Sequence, residues 1–310
     1  RMEAVNRVKN EVRSFEEFRN KHIDQSRRIY GTLTELRQDP PAADVYIAGS
    51  DQIWNPMLLR RKDGRAFWLD FGEDRVRRVA YAASYGVDKC PPGLQKELSR
   101  RLYRFDALSV REESGVSICR ASGKEATHVL DPTLLLSMDD YLSLLEDIPV
   151  RPSPYIYIYS INISSKEDIR WSELRGFSKI GGLSLLVTPA SGYLPGRELF
   201  EGVEYSYAAI PEWLSLIRHA GLVVTTSFHG VVFCILFHKR FVYFPLSGTY
   251  AKGNSRVLNL LSNLSLSDCI WKAPGDFKRI YHLSIDWDRV EELLAPLRDK
   301  SVSFLKQVLS

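Results

Sequence analysis

The stretch VVTTSFHGVVFCILF, Val223–Phe237, joins a β-branched run to an apolar helix through a short polar turn. We expect the strand to end at Thr226 and Ser227, and the helix to begin near Gly230. His229 would then lie beside the free N–H groups and the positive dipole end of a buried helix. Such a place attracts anions, and Gly230 would let a ligand approach the backbone closely. The alternative is that His229 only caps the helix.

The same order of strand and helix recurs along most of the chain. Strands alternate with helices of about 10–15 residues, a pattern typical of parallel sheets. The proline-rich segment IPVRPSP, Ile148–Pro154, interrupts the series, and the pattern then restarts. We therefore expect an α/β fold with two Rossmann-like domains, residues 1–149 and 150–310, that face a cleft. Ligands of such sheets bind at the carboxyl ends of the strands, so residues that follow strands are the site candidates.

Composition narrows the class of protein. The chain has 310 residues, of which 45% are hydrophobic and 26% charged, values typical of a soluble globular protein. The formal net charge of +4 is too small to indicate nucleic-acid binding. The cysteines form no CxxC pair, so neither a zinc site nor a disulfide framework is expected. No apolar run reaches the roughly 18 residues of a membrane span and no secretory signal is recognisable, so we expect a cytoplasmic protein.

A guanidinium is predicted at the carboxyl end of another strand. In SVREES, Ser109–Ser114, Arg111 follows a short strand directly. At that position it suits bidentate binding of a carboxylate or a phosphate. The alternative is a surface arginine that pairs with Glu112 or Glu113.

A basic loop precedes one of the C-terminal helices. In YAKGNSRVLNLL, Tyr250–Leu261, Lys252 and Arg256 flank Gly253 and Asn254. A basic, glycine-containing loop at a helix start can hold a phosphate group. A plain N-capped surface helix would explain the same segment equally well.

The turn after the first predicted strand has the chemistry of a sugar site. Asp51 supplies a carboxylate, Gln52 and Asn55 supply amides, and Trp54 supplies a flat apolar face. Sugar hydroxyls hydrogen-bond to such polar groups, while sugar C–H faces pack on an indole. A hydrogen-bonded turn with Trp54 in the core is the alternative.

Several segments, in this order, together resemble the polysaccharide pyruvyl transferase family: YIAGSDQIWNP, AYAASYG, SVREESG, HVLDPTLLL, VVTTSFHGVVFCILF and NSRVLNLL. GSDQIWNP and TSFHG are the most specific, and the resemblance extends from Ala43 to the C-terminus. It implies a GT-B-like fold and transfer of the enolpyruvyl unit of phosphoenolpyruvate to a sugar diol. The product would be a pyruvate ketal on a cell-surface polysaccharide, such as an exopolysaccharide or capsule, or on its lipid-linked precursor. No metal and no organic cofactor are implied.

The chain departs from the family pattern in two ways. Family members usually have a strand and a loop of the form NxGA ahead of the GSDQ strand, and we expect this first βα unit to be missing here. Several characterised members also carry an arginine two positions before the histidine, where this chain has Ser227. We expect either that Arg256 or Lys252 supplies the anion contact instead, or that the donor is a different one.

Our hypothesis is that His229 is the general acid of this reaction, which either protonates the methylene carbon of the donor or assists the departure of phosphate. The remaining candidates would hold the donor or the sugar. They are Arg111, Arg256, Ser227, Gly230, Asn254, Lys252, Asp51, Gln52, Asn55 and Ser84, the last of which follows the second predicted strand.

Two other functions fit the same pattern. One is a GT-B nucleotide-sugar glycosyltransferase, and the other is a non-catalytic scaffold in glycan assembly. The expected partners are phosphoenolpyruvate and a sugar or lipid-linked oligosaccharide, with no nucleic acid. A lipid-linked acceptor would place the protein at the inner face of the membrane. Basic residues that could contact headgroups, or simply form a solvated loop, are Arg60, Arg61, Lys62 and Arg65.

Overall fold

The computed structural model describes residues 2–59, 62–152, 154–190 and 198–310, and these residues form two wholly parallel β-sheets. The strands of the first sheet, in spatial order, are β1 (Val45–Ala48), β2 (Arg77–Ala83), β3 (Ala107–Val110) and β4 (Thr127–His128). The second sheet contains β5 (Tyr155–Tyr159), β6 (Ser184–Val187), β7 (Glu204–Tyr205), β8 (Leu222–Thr225) and β9 (Phe241–Tyr243). Their spatial order is β7-β6-β5-β8-β9. Parallel neighbours require crossover connections, which is why helices separate most of the strands along the chain.

The helices mostly follow the predicted alternation. The N-terminal segment forms several short helices, and α1 continues as a π-helical turn, Val8–Val12. Within the described residues the α-helices are α1 (Met2–Arg7), α2 (Phe15–His22), α3 (Leu33–Gln38), α4 (Pro56–Leu59), α5 (Gln95–Leu102), α6 (Glu113–Ala121), α7 (Met138–Leu142), α8 (Trp171–Gly181), α9 (Ile210–His219), α10 (Phe228–Leu236), α11 (Asn254–Asn263), α12 (Asp276–Tyr281) and α13 (Trp287–Leu309). Short 3₁₀ turns occupy Lys62–Trp68, Pro132–Leu134, Ser143–Leu145, Lys166–Ile169, Gly248–Gly253 and Ser267–Cys269.

The chain divides into two compact units, each built on one sheet. The β1–β4 unit comprises Ser26–Leu135 with Glu291–Ser310, and the β5–β9 unit comprises Arg1–Gln25 with Leu136–Val290. The predicted division between residues 149 and 150 differs from this one, because it assigns each terminal segment to the same domain as the residues next to it in sequence. Both terminal segments pack against the sheet that is remote from them in sequence.

The C-terminal helix is held in the β1–β4 unit by polar and apolar contacts. The Leu130 backbone N–H donates to Ser301 Oγ at 2.9 Å. Phe304 packs against the buried cluster that contains Tyr81 and Val129. These contacts join residues more than a hundred positions apart in the sequence, so local sequence patterns do not reveal them.

The core of the β5–β9 unit explains why α10 is so apolar. Val223 and Val224 of β8 are wholly buried, and α10 follows directly after this strand. Every residue of α10 except His229 is buried. A helix that is packed against other elements on all sides is apolar all round. His229 is the one residue of α10 that is partly exposed.

No helix within the described ranges is both long and apolar enough to cross a membrane. Arg60 and Arg61, two of the candidates for contact with lipid headgroups, lie outside the described residues. Membrane contact therefore stays a prediction.

Candidate functional site

The turn between β8 and α10 is built by hydroxyl groups. Ser227 is the N-cap of α10, and its Oγ accepts a hydrogen bond from the Gly230 N–H at 3.2 Å. The Ser227 N–H donates to Thr225 Oγ1 at 3.0 Å, and the Thr225 hydroxyl donates to the Tyr159 carbonyl at 2.7 Å. This chain of bonds ties the helix start to β8 and β5. The predicted strand-to-helix turn is therefore confirmed, and the Ser227 hydroxyl serves mainly as a cap.

Gly230 is required by packing against the strand. A Cβ atom added at Gly230 would lie 2.4 Å from Thr225 Oγ1, far inside van der Waals contact. The absent side chain therefore lets α10 approach β8 closely. The sequence predicts that a ligand approaches the backbone at Gly230. In the structure, Thr225 of β8 lies next to Gly230 instead.

Gly230→Ala is expected to lower the free energy of unfolding by about 1–3 kcal/mol, because the new methyl group overpacks the junction. Urea unfolding of the purified variant measures this loss. Gly176→Ala is the matched control, since nothing lies within 4 Å of a Cβ at exposed Gly176 in α8. That control should gain roughly 0.5–1 kcal/mol of helix stability. Equal stabilities of wild type and Gly230→Ala would show that the junction can relax.

His229 borders a cavity of about 630 Å³ within the β5–β9 unit. The imidazole is half-buried, while its neighbours in α10 are buried. The cavity is lined by segments that follow β5 and β6, by α9 and α10, by the N-terminal segment and by the loop before α11. Its polar and aromatic lining residues are Arg13, Phe15, Tyr159, Asn162, Ser164, Trp213, Ser227, His229, Phe233 and Tyr250.

One wall of this cavity is aromatic and tightly packed. The Trp213 ring meets the rings of Tyr159 and Phe233 edge-on, at centroid distances of 5.1 and 5.3 Å. Burial raises the pKa of the Tyr159 phenol, so it stays neutral at physiological pH. Edge-to-face packing of this kind fixes the rings and limits the ways in which a ligand can lie.

Arg13 reaches this cavity from the far end of the sequence. Its Nε–H donates to the Ala208 carbonyl at 2.9 Å, and Nη1 donates to the Pro189 carbonyl at 3.2 Å. The residue is 5% exposed, and its guanidinium lies 4.7 Å from the Phe15 ring centroid. Burial lowers the pKa of this guanidinium, although arginine remains charged in proteins. A second basic group therefore lines the His229 cavity.

The basic loop before α11 is mainly a structural clamp. Asn254 Oδ1 accepts from the Leu246 N–H at 2.8 Å, and its Nδ2 donates to the Leu246 carbonyl at 2.8 Å. Lys252 is exposed, and the Arg256 guanidinium lies 5.6 Å from the Phe228 ring centroid. The residues that line the His229 cavity include Tyr250 of this loop but none of the three predicted here.

In the β1–β4 unit, three carboxylates surround the Arg111 guanidinium. Its guanidinium donates to Asp131 at 2.7 Å, to Glu112 at 3.0 Å and to Asp51 at 3.3 Å. The Arg111 side chain is 2% exposed, so it is not the surface arginine of the alternative interpretation. Burial opposes its charge, but the carboxylates of Glu112 and Asp131 outweigh burial and raise its pKa. A ligand anion would have to compete with these carboxylates for the guanidinium.

The carboxylates themselves are held by hydroxyl groups. Ser84 Oγ donates to Glu112 at 2.7 Å, and Ser50 Oγ donates to Asp131 at 3.2 Å. The carboxyl ends of all four strands of the sheet therefore contribute to one network, as the strand-end rule predicts. Asp51 is the open edge of the network, because its side chain is 64% exposed.

The remaining residues of the GSDQIWN turn divide between surface and core. Asn55 Nδ2 donates to Gln52 Oε1 at 2.8 Å. Trp54 is wholly buried and stacks on Trp68 at 4.6 Å, and its Nε1 donates to the Phe67 carbonyl at 3.2 Å. Trp54 is therefore a core residue, and the sugar-platform interpretation is wrong for this side chain.

The polysaccharide pyruvyl transferase family model matches residues 4–248, which is most of the chain. The chain belongs to this family. The resemblance drawn from GSDQIWNP and TSFHG is confirmed, and both segments lie at the carboxyl ends of strands in this family member. No curated protein sequence matches the chain.

Solved structures give the fold of this family member. It is similar to the UDP-GlcNAc 2-epimerase of Methanocaldococcus jannaschii, determined with UDP-GlcNAc and UDP, with a TM-score of 0.51 and 12% identity over 84% of this chain and 71% of that chain. The UDP-GlcNAc 2-epimerase of Neisseria meningitidis, bound to UDP-GlcNAc, has a TM-score of 0.42 and 10% identity over 76% and 74% of the two chains. At these identities the likeness concerns the fold alone. The first similarity and the parallel sheets confirm the predicted GT-B-like α/β fold.

The predicted site residues of this family member fall into two groups, one in each unit. His229 and Ser227 line the cavity, and Asp51, Ser84 and Arg111 share the carboxylate network. Sequence reasoning missed several lining residues of the cavity. Tyr159 and Asn162 could have been found, because they end or follow β5, whereas no local signal marks the others, Arg13, Trp213 and Phe233.

Proposed function

We propose that this protein transfers the enolpyruvyl unit of phosphoenolpyruvate to a sugar diol, with the donor bound in the His229 cavity. The product is a pyruvate ketal on a cell-surface polysaccharide, an exopolysaccharide or capsule, or on its lipid-linked precursor. Family membership supports the reaction class. The observation that carries the assignment to this cavity is that His229, at a helix N-terminus, and the buried cation Arg13 line the same space.

The charges around the cavity favour an anionic ligand. Among the described lining residues none is acidic, while Arg13 and His229 are basic. The N-terminus of α10 adds the partial positive charge of its dipole. The carboxylate network around Arg111 has the opposite character, with three carboxylates around one guanidinium. A donor that carries both a phosphate and a carboxylate is therefore better accommodated beside His229.

In the first step an acceptor hydroxyl oxygen attacks C2 of phosphoenolpyruvate while C3 takes up a proton. The π electrons of the C2–C3 double bond form the new C3–H bond, so the methylene carbon becomes a methyl group. His229 is the general acid that gives this proton, since it is the titratable side chain at the helix end that borders the cavity. The hydroxyl proton leaves to solvent or to a nearby base.

In the second step the C2–O bond to phosphate breaks, and inorganic phosphate carries away the bonding electrons. A second hydroxyl of the same sugar attacks C2 and closes the ketal ring. Its proton returns to the neutral imidazole of His229, which restores the acid for the next turnover. The reaction as proposed uses no metal and no organic cofactor. Fixed positive charge near the leaving phosphate lowers the barrier to this step.

The acceptor decides where the protein works. A lipid-linked oligosaccharide would be reached from the cytoplasmic face of a membrane, and we include this location in the proposal. The side chain of Asp51, which is 64% exposed, and the paired amides of Gln52 and Asn55 are the groups of the β1–β4 unit that we assign to sugar hydroxyls.

Thermal unfolding in the presence of candidate ligands tests the donor assignment. A ligand at about 100 times its Kd stabilises the folded state by about 2.7 kcal/mol. We expect phosphoenolpyruvate to raise the midpoint clearly, inorganic phosphate to raise it less, and UDP-sugars to leave it unchanged. Stabilisation by a UDP-sugar and not by phosphoenolpyruvate would replace the proposal with glycosyl transfer. Stabilisation by neither would favour a non-catalytic scaffold.

A further inference from the structure

We infer that Arg13 is the residue that binds an anionic group of the ligand in the His229 cavity. The identity of that ligand as phosphoenolpyruvate rests on the proposed function, whereas the role of Arg13 in anion binding does not. Arg13 lies in the turn that joins the π-helical turn Val8–Val12 to α2, and it lines the cavity together with His229.

Among the described residues Arg13 has no carboxylate in direct contact, and the negative charge of Glu212 acts on its guanidinium only from beyond ion-pair distance. Its described partners are two neutral backbone carbonyls, those of Ala208 and Pro189. Within the described residues no carboxylate forms an ion pair with Arg13, and its guanidinium faces the Phe15 ring at 4.7 Å. The surroundings of Arg111 show the usual alternative, in which carboxylates neutralise a buried arginine.

Burying a guanidinium without a direct ion pair is costly. Taking a charge out of water is offset only when a partner of opposite charge or several hydrogen bonds replace the solvent. Arg13 is 5% exposed, and it is one of the residues that line the cavity. An anion in the cavity would supply the direct ion pair that Arg13 lacks, so part of the cost of burying Arg13 is offset on binding. The two carbonyl contacts also fix the plane of the guanidinium, which favours a bidentate contact.

The local backbone holds Arg13 in place. The Arg13 N–H donates to the Val8 carbonyl at 3.0 Å and closes the π-helical turn. The next residue, Ser14, has a left-handed conformation with φ of 47° and is the N-cap of α2. Phe15, the first residue of α2, also lines the cavity. The turn therefore places the side chains of both Arg13 and Phe15 at the cavity.

Arg13 also offers a replacement for the arginine that several family members carry at the position of Ser227. The sequence led us to expect Arg256 or Lys252 to supply the missing guanidinium, but neither residue lines the His229 cavity. Arg13 does, although it lies 214 positions before Ser227 in the sequence (227 − 13 = 214). A positive charge has thus reached the same cavity from a different part of the chain.

Isothermal titration of three purified variants tests this role. Arg13→Gln removes the charge, Arg13→Lys keeps the charge without the planar fork, and Arg7→Gln is the control, since Arg7 is 71% exposed. We expect Arg13→Gln to raise the Kd of phosphoenolpyruvate about 10- to 100-fold, Arg13→Lys to raise it less, and Arg7→Gln to leave it unchanged. Parallel titrations with pyruvate and inorganic phosphate show which anionic group Arg13 binds, because only that fragment loses affinity.

The unliganded unfolding midpoint of each variant separates a binding role from a structural one. If Arg13→Gln does not fold, the weaker binding expected of Arg13→Lys still tests the inference. Wild-type affinity for phosphoenolpyruvate in a folded Arg13→Gln variant would overturn it. So would a wild-type protein that binds none of phosphoenolpyruvate, pyruvate, phosphate and UDP. If the wild type binds UDP alone and Arg13→Gln weakens that binding, the proposed function fails while the role of Arg13 stands.

Discussion

His229→Ala is expected to reduce the rate of pyruvyl transfer by at least about 100-fold, because it removes the acid that protonates C3 of the donor. His229 is the half-buried residue of an otherwise buried helix, so its side chain fills no core space. The unfolding midpoint should therefore stay close to that of the wild type. The donor Kd should change much less than kcat, since Arg13 and the end of α10 still hold the anion.

His22→Ala is the control for this variant, because His22 is an exposed imidazole on α2. His229→Gln adds a second comparison, since glutamine keeps the polarity and much of the size but cannot deliver a proton. Initial rates of phosphate release in the presence of acceptor measure all three variants. Wild-type turnover in a folded His229→Ala protein would remove His229 from the chemistry.

Arg111→Leu is expected to lower the free energy of unfolding by about 3–5 kcal/mol, because removing one partner of a buried ion pair leaves uncompensated charge. The carboxylates of Asp131 and Glu112 are 1% and 6% exposed and would lose their common partner. Asp51 is mostly exposed and contributes little to this loss. Urea unfolding followed by circular dichroism measures the change.

Arg100→Leu is the matched control, since Arg100 is 70% exposed and its pair with Glu97 lies on the surface of α5. Its loss should stay below about 1 kcal/mol. The double variant Arg111→Leu with Asp131→Asn should recover part of the loss, because it removes one of the stranded charges. Equal losses for Arg111→Leu and Arg100→Leu would mean that the network does not stabilise the unit.

The fold was largely predictable because its signal is local. The chain alternates between β-branched runs and helices, which are separated by turns that contain glycine or proline. This alternation is typical of a parallel sheet. The edge strand β7, Glu204–Tyr205, was missed because two residues carry no periodicity. The packing of both termini was also missed, because contacts such as Leu130 with Ser301 join distant parts of the chain.

The places of several candidate residues in the fold were predictable, but their contacts were not, and their roles stay predictions. The strand-end rule located Arg111 and Asp51, but it could not show that Asp131 and Glu112 would take up the guanidinium. The same rule located His229. Arg13 lines the same cavity, but no local sequence pattern marks it as a site residue. A residue type at a strand end thus predicts where a group lies, and its partners decide what the group can do.

Formation of the ketal itself is the decisive test of the proposed reaction. The purified protein is incubated in heavy water with phosphoenolpyruvate and lipid-linked glycans from the cells that encode it, and the glycans are analysed by mass spectrometry. We expect a ketal-linked pyruvate whose methyl group carries a single deuterium, an equal amount of inorganic phosphate, and formation of both at least about 100-fold more slowly with His229→Ala. A glycan that gains a sugar instead of pyruvate, or ketal formation at the wild-type rate without His229, would contradict it.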